Sequence, residues 1–130
     1  MKTEIISVGN KANKSIVKLT EEFVSRFCEF FFDPDVNILV FDESIIDIGD
    51  EKVGFACYLP EVESVFMSAN RDPVLDQVTY YSWPQIYIGF LAHELVHVEQ
   101  KRKNKPIQER GVRVRSRTFM DVCGYDPVWI

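Results

Sequence analysis

Residues 83–103 have the sequence WPQIYIGFLAHELVHVEQKRK, which predicts one long, buried helix. Ser82 precedes it as an N-cap, with Gln85 three residues later as in a capping box, and Pro84 is well tolerated in a first helical turn. Apolar residues occupy nearly every face of the helix, which is typical of a helix surrounded by protein. We therefore expect a central helix from about Trp83 to about Lys103.

The segment 93–97 of this helix is an HExxH motif, His93-Glu94-Leu95-Val96-His97. In an α-helix, residues four apart lie about 40° apart on one face, so both imidazoles can reach one metal ion. Glu94 is rotated from that face and can contact a water molecule on the metal without being a ligand. The chain has only two histidines, and both are in the motif. The sequence predicts a zinc ion (Zn2+) held by His93 and His97, with Glu94 as general base.

A catalytic zinc ion needs a third protein ligand and an open fourth position. The acidic candidates are Glu99, Glu109, Asp121 and Asp126. Glu99 lies about 240° around the helix from His93 and should point away. Glu109 is expected on the apolar face of a last helix, at the level of His97 if the two helices are antiparallel, whereas Asp121 falls on another face. A salt bridge from Glu109 to Arg113 is the alternative. We predict Glu109 as the third ligand, with Asp126 in reserve.

The rest of the chain predicts a helix, several strands and a closing helix. Phenylalanines at helical spacing indicate a helix over residues 20–32, with Thr20 as its N-cap. The strand candidates are residues 5–8, 36–41, 53–58 and 64–69, of which the last two are expected to pair antiparallel. Pro106 should open the last helix, and Gly124 should close it as a C-cap. This order predicts a single α+β domain over residues 1–130.

Composition narrows the classes of partner. The net charge of -5 argues against nucleic-acid binding, and the basic cluster from Lys101 to Arg117 is interpreted as a solvated surface. No stretch approaches the roughly 20 apolar residues of a membrane span, and no secretory signal follows Met1. Cys28, Cys57 and Cys123 are odd in number and widely spaced, which indicates reduced thiols and a cytoplasmic location. The oligomeric state stays open.

The segment from Trp83 to Met120 resembles the zincin metallopeptidases, in particular the gluzincin group. The motif with Gln100, followed by Pro106 and Glu109, is similar to a compact "HELVHxxQ … P…E" form of small bacterial and phage zincins. The resemblance implies an N-terminal helix, a small, mainly antiparallel sheet, the HExxH helix beneath it and a closing helix. It also implies that a strand ahead of the HExxH helix forms the rim of the cleft. Residues 64–69 are expected there, with a substrate peptide paired to their edge.

The activity implied by the resemblance is zinc-dependent hydrolysis of a peptide or protein substrate. The chain departs from the larger thermolysin-like enzymes, because the interval from His97 to Glu109 is shorter and no downstream histidine can stabilise the transition state. The remaining candidate donors to the oxyanion are Tyr87, Arg113, Arg117 and Tyr125. Gln100 either supports the metal site or satisfies a neighbouring helix. Two alternatives stand beside the peptidase: a non-catalytic, zinc-stabilised binding or regulatory module, and a metal-free interaction protein with a chance motif.

Overall fold

A computed structural model describes residues 2–9, 13–47, 53–70 and 81–128. The described elements, in chain order, are β1 (Glu4–Val8), α1 (Lys14–Phe30), β2 (Asn37–Phe41), β3 (Ile46–Asp47), β4 (Val53–Gly54), β5 (Ala56–Leu59), β6 (Ser64–Ser68), α2 (Trp83–Arg102) and α3 (Val112–Val122). A single 3-10 turn, Pro60–Val62, connects β5 to β6. The expected α+β class is confirmed. None of the described helices is long and apolar enough to cross a membrane.

The main sheet has the strand order β1-β2-β6-β5. β1 pairs with β2, and β2 with β6, in parallel, whereas β5 and β6 form the expected antiparallel pair. The short strands β3 and β4 pair antiparallel in a separate ribbon. The sheet is therefore mixed, and the expectation of a mainly antiparallel sheet is wrong. A helix such as α1 between two strands allows them to run in the same direction, which a tight hairpin cannot do.

The central helix α2 agrees with its prediction to within one residue. The Ser82 hydroxyl accepts a hydrogen bond from the Gln85 backbone N–H at 3.4 Å. At the same end, the Trp83 indole N–H donates to the carbonyl of Ala69, just after β6, at 3.0 Å. Leu91 and Leu95 are fully buried in a core that α1, β2, β6 and α3 also supply. The apolar residues on nearly every face of α2 are thus explained by the packing of this helix within the core of the described residues.

The first helix begins earlier than its sequence predicts. Asn13 is the N-cap, and its side-chain oxygen accepts hydrogen bonds from the backbone N–H groups of Ser15 (3.1 Å) and Ile16 (3.3 Å). Thr20 is instead buried inside the helix, where its hydroxyl lies 2.7 Å from both the Ile16 carbonyl and the Tyr87 hydroxyl. A threonine satisfied in this way need not end a helix. The predicted bounds 20–32 are therefore corrected to 14–30.

The last helix begins later than expected, at Val112 rather than Pro106. Gly111 precedes it with φ +79°, a left-handed conformation that interrupts any helix reaching it from residue 106. The C-terminal end follows the prediction. Gly124 has φ +87°, and the N–H groups of Gly124 and Tyr125 donate to the carbonyls of Asp121 (3.0 Å) and Met120 (2.9 Å), the pattern of a Schellman cap.

Candidate metal centre

The two histidines of the motif and Glu109 come together at one point of the surface. Nε2 of His93 lies 3.1 Å from Oε2 and 3.3 Å from Oε1 of Glu109, and Nε2 of His97 lies 3.1 Å from the same Oε1. One ligand atom from each of the three residues can be chosen so that all lie within 4.8 Å of one another. These are the three ligands that the sequence predicts, and the structure brings them together.

The donor set fits a zinc ion in both spacing and chemistry. Two atoms that are each about 2.1 Å from a tetrahedral zinc ion lie about 3.4 Å apart, close to the separations between Glu109 and the two histidines. Lone pairs on nitrogen and carboxylate oxygen repel at 3.1 Å unless a proton or a metal ion lies between them. Two histidines and one glutamate also form a ligand set of catalytic zinc sites, in which a fourth position stays open. The Glu109 side chain is 70 % exposed, so this position is accessible.

Glu109 reaches the histidines from a loop, not from a helix. The argument from helical phase is therefore wrong, because residues 105–110 precede α3 and have no regular structure. The loop is held by Gln100 of α2, whose side-chain amide donates to the Gln108 carbonyl at 3.0 Å and accepts from the Gln108 N–H at 3.1 Å. This two-bond contact places the next residue, Glu109, opposite His93 and His97.

Gln100 also orients the imidazole of His97. Its Oε1 atom lies 2.9 Å from Nδ1 of His97. The two bonds to Gln108 require the oxygen and nitrogen of the amide to be in these positions, so the oxygen must face the ring. An amide oxygen only accepts, which makes Nδ1 of His97 the donor. In the neutral ring, Nε2 then carries the lone pair that binds a metal. Gln100 therefore contacts a predicted metal ligand, and the backbone that it satisfies belongs to the loop at Gln108 rather than to a neighbouring helix.

Glu94 lies beside the cluster without belonging to it. Its residue exposure is 9 %, and its Oε1 accepts a hydrogen bond from the backbone N–H of Tyr58 in β5 at 2.9 Å. No donor among the described residues contacts the other oxygen, Oε2. Burial raises the pKa of the Glu94 carboxyl above its ordinary value, against the lowering effects of His93, His97 and the Tyr58 N–H. A raised pKa and a free oxygen suit a proton acceptor.

β5, not β6, borders the candidate site. β6 lies between β2 and β5, so both of its edges are paired and the expectation that a substrate could join residues 64–69 is wrong. Among the described residues, β5 pairs on one side only, with β6. On the paired side, the carbonyl of Phe55, just before β5, accepts a hydrogen bond from the Ser68 N–H of β6. On the other side, the backbone N–H of Tyr58 donates to Glu94. Because alternate residues of a strand face opposite edges, Ala56 directs its N–H and C=O toward the same open edge as Tyr58.

Glu99 points away from the metal centre, as helical phase predicts. Its carboxylate binds the Arg115 guanidinium through two hydrogen bonds, of 3.0 and 2.8 Å, and lies 3.7 Å from Nζ of Lys103. Burial alone would raise the pKa of Glu99, but Arg115 and Lys103 outweigh burial and hold it below its ordinary value. The pair joins α2 to α3 and is structural.

Asp126, the reserve ligand, lies at the other end of α2. Its backbone carbonyl accepts a hydrogen bond from the side-chain amide of Gln85 at 3.4 Å. Gln85 precedes His93 by eight residues, which corresponds to about 12 Å along a helix. Among the described residues, the group that could hold a metal ion does not include Asp126. Glu109 is therefore the third ligand that this geometry favours.

The candidate donors to an oxyanion also separate in space. The Tyr87 hydroxyl is buried against Thr20, and burial raises its pKa well above its ordinary value. Tyr125 packs on Phe23, and it lines a depression at the Gln85 end of α2. Arg113 alone of the four borders a cleft together with His93 and Glu109, and Arg117 is not among the described residues of that lining.

Two contributors to the site could not be found from sequence. Tyr58 and Gln108 act through their backbone groups, which nearly every residue carries, so no residue type signals them. No protein-family model matches the chain, and neither a curated protein nor a solved structure does. Any function assigned to the site therefore derives from its own residues and geometry.

Proposed function

We propose that the protein is a zinc-dependent metallopeptidase of the zincin type with gluzincin-like ligands. The observation that carries the proposal is the convergence of His93, His97 and Glu109 within 4.8 Å, directly beside a buried Glu94. Zinc bound there would polarise the carbonyl of a substrate amide and lower the pKa of water toward about 7. The wide spacing and odd number of the cysteines support a cytoplasmic location as part of the same proposal.

Glu94 is the proposed general base. The Tyr58 N–H holds its Oε1, which fixes the direction of the carboxylate and leaves Oε2 to take a proton from water. The same oxygen can then deliver that proton to the leaving amine, so that the carboxylate is regenerated after each cycle. The raised pKa of Glu94 brings its basicity closer to neutral pH, where a proton can be both accepted and released.

β5 is the proposed binding strand for the substrate, because its outer edge has no partner strand among the described residues. An extended peptide can pair with the outward N–H and C=O of Ala56 and so lie across the metal centre. A cleft of about 200 Å³ is lined by Ala56 together with His93, Glu94 and the rings of Phe55 and Phe90. It can take an apolar side chain of the bound peptide beside the reacting bond.

The non-catalytic zinc module is the competing function. It requires a closed site with four protein ligands. The 22 % and 70 % side-chain exposures of His93 and Glu109 favour an open position instead. The presence of a positioned, buried carboxylate that is not a ligand also favours chemistry over a structural role, because such a group is costly to bury.

Metal analysis and peptide cleavage together test the proposal. Protein purified without an affinity tag should contain one zinc ion per chain, as measured by inductively coupled plasma mass spectrometry. The His93→Ala and His97→Ala variants should lose it. Wild type should cleave peptides in a broad, unbiased pool, and Glu94→Gln should keep the zinc but not cleave. Zinc retained by either histidine variant, or equal cleavage by Glu94→Gln, would refute the proposal.

A further inference from the structure

A second cleft borders the proposed metal centre and shares His93 with the cleft beside β5. It has a volume of about 390 Å³, and its described lining consists of His93, Glu109, Gly111, Arg113 and Val114. The side chain of Val114 contributes an apolar wall, because this residue is 63 % exposed. Arg113 is the cation of the cleft. A group bound there would lie beside two of the three proposed zinc ligands.

Arg113 makes no ion pair with any residue in the described ranges. The helical salt bridge to Glu109, an alternative from sequence, does not form because Glu109 turns toward the histidines. Arg115 on the same helix behaves differently. It is paired with Glu99 and stacks on Phe119, with its guanidinium carbon 4.7 Å from the ring centroid. Arg115 is therefore structural, whereas the charge of Arg113 is available to a ligand.

The segment that carries Glu109 and Arg113 is rich in positive charge. Eight of the fifteen lysines and arginines lie between Lys101 and Arg117, although the whole chain has a net charge of -5. The single acidic residue of that segment is Glu109, whose carboxylate is directed at the histidines. A local positive field of this kind attracts acidic ligands and orients them on approach.

The cleft beside β5 differs in chemistry from the Arg113 cleft. Phe55 and Phe90 stack there with ring centroids 5.4 Å apart and an angle of 15° between the rings. His93 lines both clefts, so the metal centre lies where they meet. A peptide across the centre would therefore meet an apolar surface on one side and a cation on the other.

We propose that Arg113 selects substrates that carry a carboxylate on one side of the reacting bond and an apolar residue on the other. This inference rests on the proposed function of the metal centre and names its substrate class. The guanidinium can bind a carboxylate through two parallel hydrogen bonds. The carboxylate can belong to an Asp or Glu side chain or to the C-terminus of a peptide, and the experiment below distinguishes these two sources.

The test measures binding rather than turnover. Zinc-loaded Glu94→Gln protein is used to capture peptides from two random octapeptide pools, one with amidated and one with free C-termini. Captured peptides are identified by mass spectrometry. In this Glu94→Gln background, the protein that retains Arg113 is compared with three variants: Arg113→Gln, Arg113→Glu and the control Arg110→Gln. The control removes the same charge from the basic segment at a residue outside the described lining of the cleft.

We expect Asp and Glu to be enriched about tenfold over Asn and Gln in the amidated pool, a ratio appropriate to one charge-assisted contact. The preference should vanish in Arg113→Gln, reverse toward Lys and Arg in Arg113→Glu and persist in Arg110→Gln. Arg113-dependent enrichment confined to free C-termini would assign the terminal carboxylate as the ligand. Acidic peptides captured equally by Arg113→Gln, or no peptides captured at all, would overturn the inference. Arg113-dependent capture of acidic peptides that wild type does not cleave would refute the peptidase but would keep Arg113 as the residue that selects acidic ligands.

Discussion

Oε1 of Gln100 lies 2.9 Å from Nδ1 of His97, and the same amide forms two hydrogen bonds with the backbone of Gln108. One side chain thus sets the tautomer of one proposed ligand and the position of the loop that carries another. Partners of this kind orient metal ligands and raise their basicity. Gln100 is in this respect part of the proposed metal site, although it does not touch the metal.

Replacement of Gln100 should weaken zinc binding without removing a ligand. We expect Gln100→Leu to lower zinc affinity about 10- to 100-fold, the usual effect of losing such a partner. Gln100→Glu keeps an acceptor for His97 but loses the donor to Gln108, and should have an intermediate effect. Competition with a chelator measures the affinity, and nitrogen NMR of the His97 ring reports the tautomer. An unchanged affinity and an unchanged ring signal in Gln100→Leu would contradict this role.

Two glutamates near the site should respond differently to the same change. Glu109→Gln removes a carboxylate ligand and should reduce zinc affinity strongly, since an amide oxygen carries no charge. Glu99→Gln should leave zinc affinity unchanged, because its carboxylate contacts Arg115 and Lys103. Zinc titration of both variants against a chelator provides the measurement, and Glu99→Gln is the matched control. Similar losses in the two variants would show that Glu109 is not a ligand.

Glu94→Gln should stabilise the zinc-free protein or leave its stability unchanged. The carboxylate is buried and its pKa is raised, so its charged form lowers the free energy of unfolding at neutral pH. The amide is nearly the same size and can still accept from the Tyr58 N–H. Thermal unfolding in the presence of a chelator measures this. A clear decrease in the melting temperature would show that the charge of Glu94 supports the fold.

The pair of Glu99 and Arg115 should make stability depend on pH. The pKa of Glu99 is lowered in the folded state, so its contribution is complete above the pKa of the unfolded chain and is lost as pH falls through the folded value. At pH 7 we expect Glu99→Gln to unfold more easily by about 1 kcal/mol. Urea unfolding of the zinc-free proteins at pH 7 and at pH 3 measures the difference, which should shrink at the lower pH. A difference that is independent of pH would exclude the ion pair as its source.

The positions of most helices and strands could be predicted from the sequence, but most of the pairing of the strands into a sheet could not. Strand positions near residues 36–41, 53–58 and 64–69 follow from short apolar runs bounded by turn residues, and the structure has strands in each. The pairing of β2 with both β1 and β6 depends on residues far apart in the chain, and no local pattern encodes it. The predicted start of α1 is wrong because threonine is a residue type that caps helices, and only the contacts of Thr20 with Ile16 and Tyr87 show that it lies inside this one.

The local sequence predicts the central helix and the placement of His93 and His97 on one face of it, because helical periodicity relates residues that are close together in the chain. It also predicts that Glu94 lies beside that face and Glu99 away from it. How Glu109 reaches the histidines depends on tertiary contacts, because the position of its loop is set by the hydrogen bonds of Gln100 with Gln108. Two further features depend on which distant segments become neighbours in the fold and cannot be predicted from local sequence. β5 borders the site, and Arg113 has no ionic partner among the described residues.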